Sequence, residues 1–198
     1  MRLLTELREP PARLGLLPGT FNPPTRAHFG LAEAALAHVD HVLMILPGEL
    51  PHKTWEGASR EERLEMLRVA TMEFPRVGAA LSEGGLFIDM VREARIWFPE
   101  TEFYLVCGRD AAERIIGWDY NEAQTIERML QEFRLLVASR HGPYEPPQHL
   151  AYAVRTLAAG CWDECSSTEV RRAIAAGEDW MQMVPGELTE IVRRVYGT

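Results

Sequence analysis

The stretch Leu14-Gly15-Leu16-Leu17-Pro18-Gly19-Thr20-Phe21-Asn22-Pro23-Pro24-Thr25-Arg26-Ala27-His28 decides how the chain is read. A short apolar run, Leu14 to Leu17, reads as a buried strand, and Pro18 and Gly19 end it. Two further prolines stiffen the turn, and Leu31, Ala34, Ala35 and Val39 then recur at helical spacing. A strand thus runs through a tight turn into a helix. Gly19 lets the backbone come close to a ligand, and Thr25 stands where an N-cap belongs, which puts His28 about one turn inside the helix. The unpaired N–H groups and positive dipole end of such a helix start make a site for an anion, with phosphate the natural guest. Neither GxxxxGK[ST] nor GxGxxG occurs, so the ATPase and dehydrogenase readings lack their defining element. A plainer reading also stands at this point, in which His28 merely belongs to a hydrophilic first turn.

Outward from this turn the chain alternates β-rich apolar runs with helical patterns. Strands are expected at Leu14 to Leu17, His41 to Leu46, Val77 to Leu81, Glu102 to Cys107 and Arg134 to Ala138. Val42 to Leu46 and Phe103 to Val106 are apolar without interruption, as strands buried on both faces of a parallel sheet require. Helices are expected at Glu61 to Met72 and Asn121 to Phe133, and over a stripe of Phe87, Met90, Val91, Ala94, Trp97 and Phe98. The segment Ala151 to Ala158 also reads as helical, Cys161 to Cys165 as a short extended run, and two helices close the chain, the last carrying Leu188, Ile191, Val192 and Val195. The fold expected is a single α/β domain over 1–198, a Rossmann-like, doubly wound parallel sheet with helices on both faces.

Composition narrows the function. The 198 residues, 46% hydrophobic, suffice for one domain that buries roughly 70% of its unfolded surface. A net charge of -8 argues against nucleic acid and anionic membranes as partners, because both need a basic surface. There is no run of 18 apolar residues, and MRLLTELREPPARLG lacks the features of a signal peptide, so a cytoplasmic location is expected. Cys107, Cys161 and Cys165 are read as reduced thiols, and the CxxxC lacks the second ligand pair of a zinc site, so no protein-held metal is expected.

A second stretch, Ser166-Ser167-Thr168-Glu169-Val170-Arg171-Arg172, pairs a capping box, Ser166 with Glu169, with three adjacent hydroxyls and two arginines. Arg171 follows Ser167 by one i,i+4 step and Thr168 by one i,i+3 step, so all three share a helix face and converge on one anion. A well-capped surface helix with a solvated arginine is the alternative. Asp110, in Cys107-Gly108-Arg109-Asp110, stands just past a strand end, where an open α/β sheet binds ribose hydroxyls. For Lys53, in Leu50-Pro51-His52-Lys53, a solvated loop is the plain reading, and for Trp118 a buried core position. Arg26, Arg109 and Arg140 could each touch phosphate or simply be solvated.

Gly19, Thr20, Phe21, Asn22, Pro23, Thr25 and His28 resemble the HxGH-type nucleotidyltransferase fingerprint G-[ST]-F-[DN]-P-x-[HT]-x-G-H, with Ala27 in place of its glycine. Ser166 to Arg171 resembles the ISSTxIR signature of the same family, and both signatures occur in the family's order. Four further stretches resemble the nicotinate-nucleotide adenylyltransferases in particular. Pro51-His52-Lys53 is similar to PPHK, Ser59 to Met66 to SxxERxxM, Gly108 to Trp118 to GxDxxxxxxxW, and Val184 to Tyr196 to the family's closing segment. Gly85 to Val91 departs from the family's SYTxDTL, lacking its Tyr and Thr.

The resemblance implies transfer of AMP from ATP, with Mg²⁺, to a pyridine mononucleotide, nicotinate mononucleotide first. His28, Thr25 and Arg171 would act at the reacting phosphates. Gly19, Thr20, Phe21, Asn22, Lys53, Gly108, Asp110, Ser166, Ser167 and Thr168 would hold the nucleotide, and Trp118 and Ile88 the acceptor. Ser59 to Met66 would serve packing and loop anchoring, and the part from about 166 to 198 would complete the ATP site. Two other readings remain open: another acceptor, such as nicotinamide mononucleotide or a non-pyridine phosphate with ATP or CTP, and a nucleotide-binding module without turnover. A tRNA-synthetase domain fits poorly, for the chain lacks a tRNA-binding extension and is acidic. The apolar faces of the last helices leave a lone subunit and a homo-oligomer equally open.

Overall fold

The computed structural model describes residues 1–7, 9–49, 56–118, 125–139, 144–157 and 165–197. Within them lie strands β1 (Arg2–Leu3), β2 (Arg13–Pro18), β3 (His41–Leu46), β4 (Val77–Leu81), β5 (Glu102–Gly108), β6 (Arg134–Ala138) and β7 (Val154–Leu157). The helices are α1 (Arg26–Ala35), α2 (Arg60–Thr71), α3 (Phe87–Trp97), α4 (Arg109–Gly117), α5 (Ile126–Met129), α6 (Ser167–Ala176) and α7 (Thr189–Tyr196). The strands form one sheet in the order β1-β4-β3-β2-β5-β6-β7, all parallel except β1, which runs antiparallel to β4 at the edge. Taken alone, the six parallel strands follow the doubly wound order 3-2-1-4-5-6, whose reversal falls between β2 and β5. At that reversal the connections leave toward opposite faces, and a crevice opens at the carboxyl ends of the strands.

Alternation of side chains explains why the central strands are apolar throughout. Leu14, Leu16, Leu43, Ile45, Phe103 and Leu105 point to the face covered by α3, α4 and α5. Leu17, Val42, Met44, Leu46, Tyr104 and Val106 point to the face covered by α1, α2, α6 and α7. Each strand therefore supplies two cores.

Several elements differ from expectation. Of the segment expected to be helical from Ala151 to Ala158, the described residues 151–157 are not helical: a 3₁₀ turn at Gln148–Leu150 leads into β7, which pairs with β6 from Leu135↔Val154 to Ala138↔Leu157. Pairing to an exposed strand edge outweighs the alanines' helix propensity, and the β-branched Val154 and Thr156 suit that edge. In the α3 stripe Trp97 is half-exposed and its indole N–H donates to the Met1 carbonyl at 3.1 Å, while Ile88 occupies the buried face instead. Of the helix expected at Asn121 to Phe133, only Ile126–Met129 is helical among the described residues, capped by Thr125. Helix α4 and strand β1 were not expected. Among the described residues, no helix is long and apolar enough to cross a membrane.

Candidate active site

Strand β2 delivers the first motif to the crevice. Phe21 adopts φ 44°, a left-handed conformation that costs a non-glycine residue of order 1–2 kcal/mol. Its ring folds back over Gly19 and is completely buried, which offsets the strain. A Cβ at Gly19 would lie 2.9 Å from Phe21 Cζ, so the glycine makes room for the ring as well as ending the strand. The same ring meets the His28 imidazole edge-on, at 5.1 Å between centroids and 61° between planes. Gly19→Ala should therefore displace Phe21 and His28 together and lower stability by about 1–3 kcal/mol, read as a fall in the urea midpoint.

Thr25 is the N-cap of α1, as expected, and is fully buried. His28 Nδ1 accepts the Thr25 backbone N–H at 3.0 Å and lies 2.8 Å from Thr25 Oγ1. A backbone N–H can only donate, so Nδ1 is the unprotonated nitrogen of the neutral ring and Nε2 carries the proton. The cap thus fixes the tautomer, and His28 presents an N–H donor at Nε2.

The rest of the turn is tied down by α2, the 56–58 backbone and α7. Ser59 caps α2: its hydroxyl accepts the Glu62 N–H at 3.2 Å while the Glu62 carboxylate accepts the Ser59 N–H at 2.7 Å. One turn on, Arg63 is 2% exposed and donates to the carbonyls of Ala58 (2.8 Å), Thr20 (3.0 Å) and Glu56. Burial lowers its pKa from the ordinary arginine value, and carbonyl oxygens stabilise the guanidinium in place of water. The Asn22 carboxamide is engaged within the protein: Nδ2 donates to Glu56 O at 2.8 Å, and Oδ1 accepts from Ala58 N (3.2 Å) and the Tyr196 hydroxyl (2.6 Å). Anchoring by the helix at Ser59 to Met66 agrees with expectation. The partnership of Asn22 with Tyr196 had no signal in the sequence, since nothing in the spacing links them.

Helix α6 brings the second motif to the first. Ser166 caps it, its hydroxyl accepting the Glu169 N–H at 3.1 Å, but the Glu169 carboxylate turns to Arg172 Nε at 3.0 Å. The expected capping box is thus half-formed, because a charged guanidinium one turn on outbids a backbone amide. The Ser167 hydroxyl donates to Pro23 O at 2.7 Å, and Arg171 Nη1 donates to Asn22 O at 2.6 Å and Ser167 O at 3.2 Å. Two stretches distant in sequence therefore touch directly. Thr168 is exposed on the first turn of α6.

On the other side of the reversal, Gly108 is the N-cap of α4 and Asp110 is exposed in its first turn. Asp110 and Trp118 line an open depression of about 510 Å³ together with Glu113, Arg114 and Gly117. Trp118 is 51% exposed, which rules out the core position considered for it. Ile88 is 5% exposed and packs in the core beneath α3. Lys53 and Arg140 lie outside the described residues. Arg26 Nε donates to Val184 O at 3.2 Å, and Arg109 pairs with Glu113 at 2.8 Å.

Residues 16–173 match the model of the cytidylyltransferase-like family. A probable nicotinate-nucleotide adenylyltransferase of Gloeobacter violaceus is 31% identical over 92% of this chain and 94% of its own length. The chain belongs to the nicotinate-nucleotide adenylyltransferase family. A second family relative, from Thermus thermophilus, is 31% identical over 87% of this chain and 92% of its own length. Among solved structures, the Plasmodium falciparum nicotinic acid mononucleotide adenylyltransferase complexed with NaAD superposes with a TM-score of 0.68 at 15% identity, covering 92% of this chain and 95% of that one. That likeness extends to the fold, the Rossmann-like sheet with helices on both faces.

For a nucleotidyltransferase of this family, the chemistry of the site is that of an anion cradle. Its groups are an imidazole N–H, hydroxyls, a guanidinium and two helix N-termini, all donors in an otherwise acidic chain. Among the described residues, no group of three or more His, Cys, Asp or Glu is placed to hold a metal ion. Cys107 is not part of the cradle: burial pushes its thiol pKa up to about 12. Thiol reagents should therefore label Cys107 only after unfolding, which peptide mapping with and without urea would check.

Proposed function

We propose that this chain transfers the adenylyl group of ATP to nicotinate mononucleotide, giving the deamido dinucleotide and pyrophosphate in the biosynthesis of NAD. The observation that carries the reading is the direct contact between the two motifs, Ser167 with Pro23 O and Arg171 with Asn22 O, at the carboxyl end of β2. Family membership supports the same reading. An oxygen of the acceptor's 5′-phosphate forms the new bond to the α-phosphorus. The bond from that phosphorus to the α,β-bridging oxygen breaks, and its electron pair leaves with pyrophosphate. The phosphate nucleophile is already ionised at neutral pH, so catalysis is alignment plus stabilisation of charge.

In this proposal His28 Nε2–H donates to the α-phosphate as negative charge shifts, and Thr25 holds that ring. The free N–H groups at the start of α6, the Ser166 and Thr168 hydroxyls, and the Arg171 donors other than Nη1 bind the β- and γ-phosphates. Gly19, Thr20, Phe21 and Asn22 shape the turn around the α-phosphate, and Lys53, by its charge, is assigned to phosphate binding. Gly108 and Asp110 meet the ribose, while Trp118 stacks on the acceptor's ring, with Ile88 behind it. Mg²⁺ carried by the triphosphate would be held by phosphate oxygens and water rather than by protein side chains, and when bound would supply positive charge that offsets charge on the pyrophosphate. The donor-rich cradle fits an ion carried in that way. We place the reaction in the cytoplasm.

Arg171→Ala should raise the KM for ATP about 10- to 100-fold, the worth of one hydrogen bond to a charged group. A KM equal to wild type would put the guanidinium outside the triphosphate site. A second acceptor is favoured by one observation: Leu86, at the start of α3, is half-exposed and offers no side-chain hydrogen bond to the helix end or to a ligand. Assaying nicotinate and nicotinamide mononucleotides and non-pyridine phosphates with ATP and CTP, with products identified by mass, decides between them. The proposal expects nicotinic acid adenine dinucleotide as the main product, and its absence while another pair reacts would overturn it.

A further inference from the structure

The Asn22 side chain is immobilised at three points that all lie outside its own turn. Glu56 O and Ala58 N belong to a backbone segment that wraps the carboxamide closely. Gly57 there has φ 71°, and a Cβ on it would fall 2.8 Å from Asn22 Oδ1. The third point is the Tyr196 hydroxyl at 2.6 Å, from the last turn of α7. Asn22's own carbonyl is in turn the acceptor, at 2.6 Å, that directs Arg171 Nη1. The chain of contacts is therefore Tyr196 to the Asn22 carboxamide, through one residue's backbone, to the Arg171 guanidinium. Two further facts tighten it. Tyr196 lies close enough to Arg63 and Arg171 to feel both charges, and burial raises its phenol pKa, so it stays a neutral O–H donor.

We infer that Tyr196 and Asn22 are positioning residues for ATP, together holding the acceptor carbonyl that aims Arg171 at the triphosphate. The inference rests on the triphosphate role of Arg171 given above. It links the far end of the chain to the first motif and gives α7 a task beyond covering the sheet. The residues act through Arg171 and need not touch substrate themselves. Consequently loss of the Tyr196 hydroxyl should weaken ATP binding, with the acceptor's KM and kcat little changed.

The test is a double-mutant cycle on steady-state constants of the full chain, with Tyr196→Phe, Arg171→Ala and the pair. Tyr196→Phe removes one hydrogen bond and keeps the ring, so the KM for ATP is expected to rise about fivefold. In the Arg171→Ala background the same change should have no further effect, because the group it positions is gone. Asn22→Ala, with folding checked by its thermal transition, should likewise raise the KM for ATP only where Arg171 is present, and its kcat should fall as well because Asn22 also shapes the turn at the α-phosphate. An unchanged KM in Tyr196→Phe overturns the inference, as does an equal rise in both backgrounds. If Arg171→Ala itself leaves the KM for ATP unaltered, the triphosphate assignment fails first and the inference with it. A merely structural tyrosine would lower the melting temperature without this loss of additivity.

Discussion

His28→Ala should lower kcat by about 10²- to 10³-fold, the range found when one preorganised donor to a developing anion is removed. The KM for ATP should change little, because the triphosphate is held chiefly at α6 in the proposed site. The physical basis is the fixed tautomer. With Nδ1 occupied by the Thr25 N–H and edge-on packing against Phe21, the ring is held in one orientation, which in the proposed mechanism sets the direction of its Nε2–H before transfer. A donor set in place beforehand is worth more than one that must be recruited from water. His28→Gln keeps a donor of similar reach but loses both constraints, so it should fall between alanine and wild type. Single-turnover rates with saturating substrates read the chemical step directly. Wild-type turnover in His28→Ala would remove His28 from the mechanism.

The largest effect on stability is expected at Arg63. Its guanidinium is 2% exposed and supplies donors to three carbonyls, those of Thr20, Glu56 and Ala58. Truncation to alanine leaves buried acceptors without these donors, at about 1–3 kcal/mol each when no water enters, and opens a cavity. Partial relaxation makes the costs less than additive, so Arg63→Ala should lose about 3–5 kcal/mol in urea unfolding. Arg63→Lys should recover little, because one ammonium cannot span carbonyls that a planar fork reaches together. Activity should fall in both variants, since Thr20 and Asn22 are anchored from this side. A loss under about 1 kcal/mol in Arg63→Ala would mean that the 56–58 backbone and the turn hold without it.

The sheet was legible in the sequence because its strands are buried on both faces. Val42 to Leu46 and Phe103 to Val106 have no polar interruption, and the structure has β3, β4 and β6 at the expected bounds. Edge elements were not legible, for physical reasons. β7 is buried only at Val154 and Leu157, so its pattern carries little strand signal until β6 offers a partner. β1 is two residues long, below any periodicity. At the site, the two helix starts could be read from their caps, Thr25 and Ser166, because capping chemistry is local. What could not be read is how a polar side chain divides its bonds. Asn22 stands in the phosphate motif, yet its carboxamide serves Glu56, Ala58 and Tyr196, while only its main chain faces Arg171. Glu169 likewise stands at the spacing of a capping box and goes to Arg172. Local spacing names the options of such groups, and tertiary neighbours choose among them.

The central claim is that two helix starts, joined by the Ser167–Pro23 and Arg171–Asn22 contacts, grip one triphosphate. It is tested most directly by a crystal structure of the chain with α,β-methylene-ATP, whose bridging carbon blocks transfer. The account predicts His28 Nε2 within hydrogen-bond reach, about 3 Å, of an α-phosphate oxygen, and the Arg171 guanidinium at the same reach of the β- or γ-phosphate. A triphosphate bound with either group facing away from it would contradict the account.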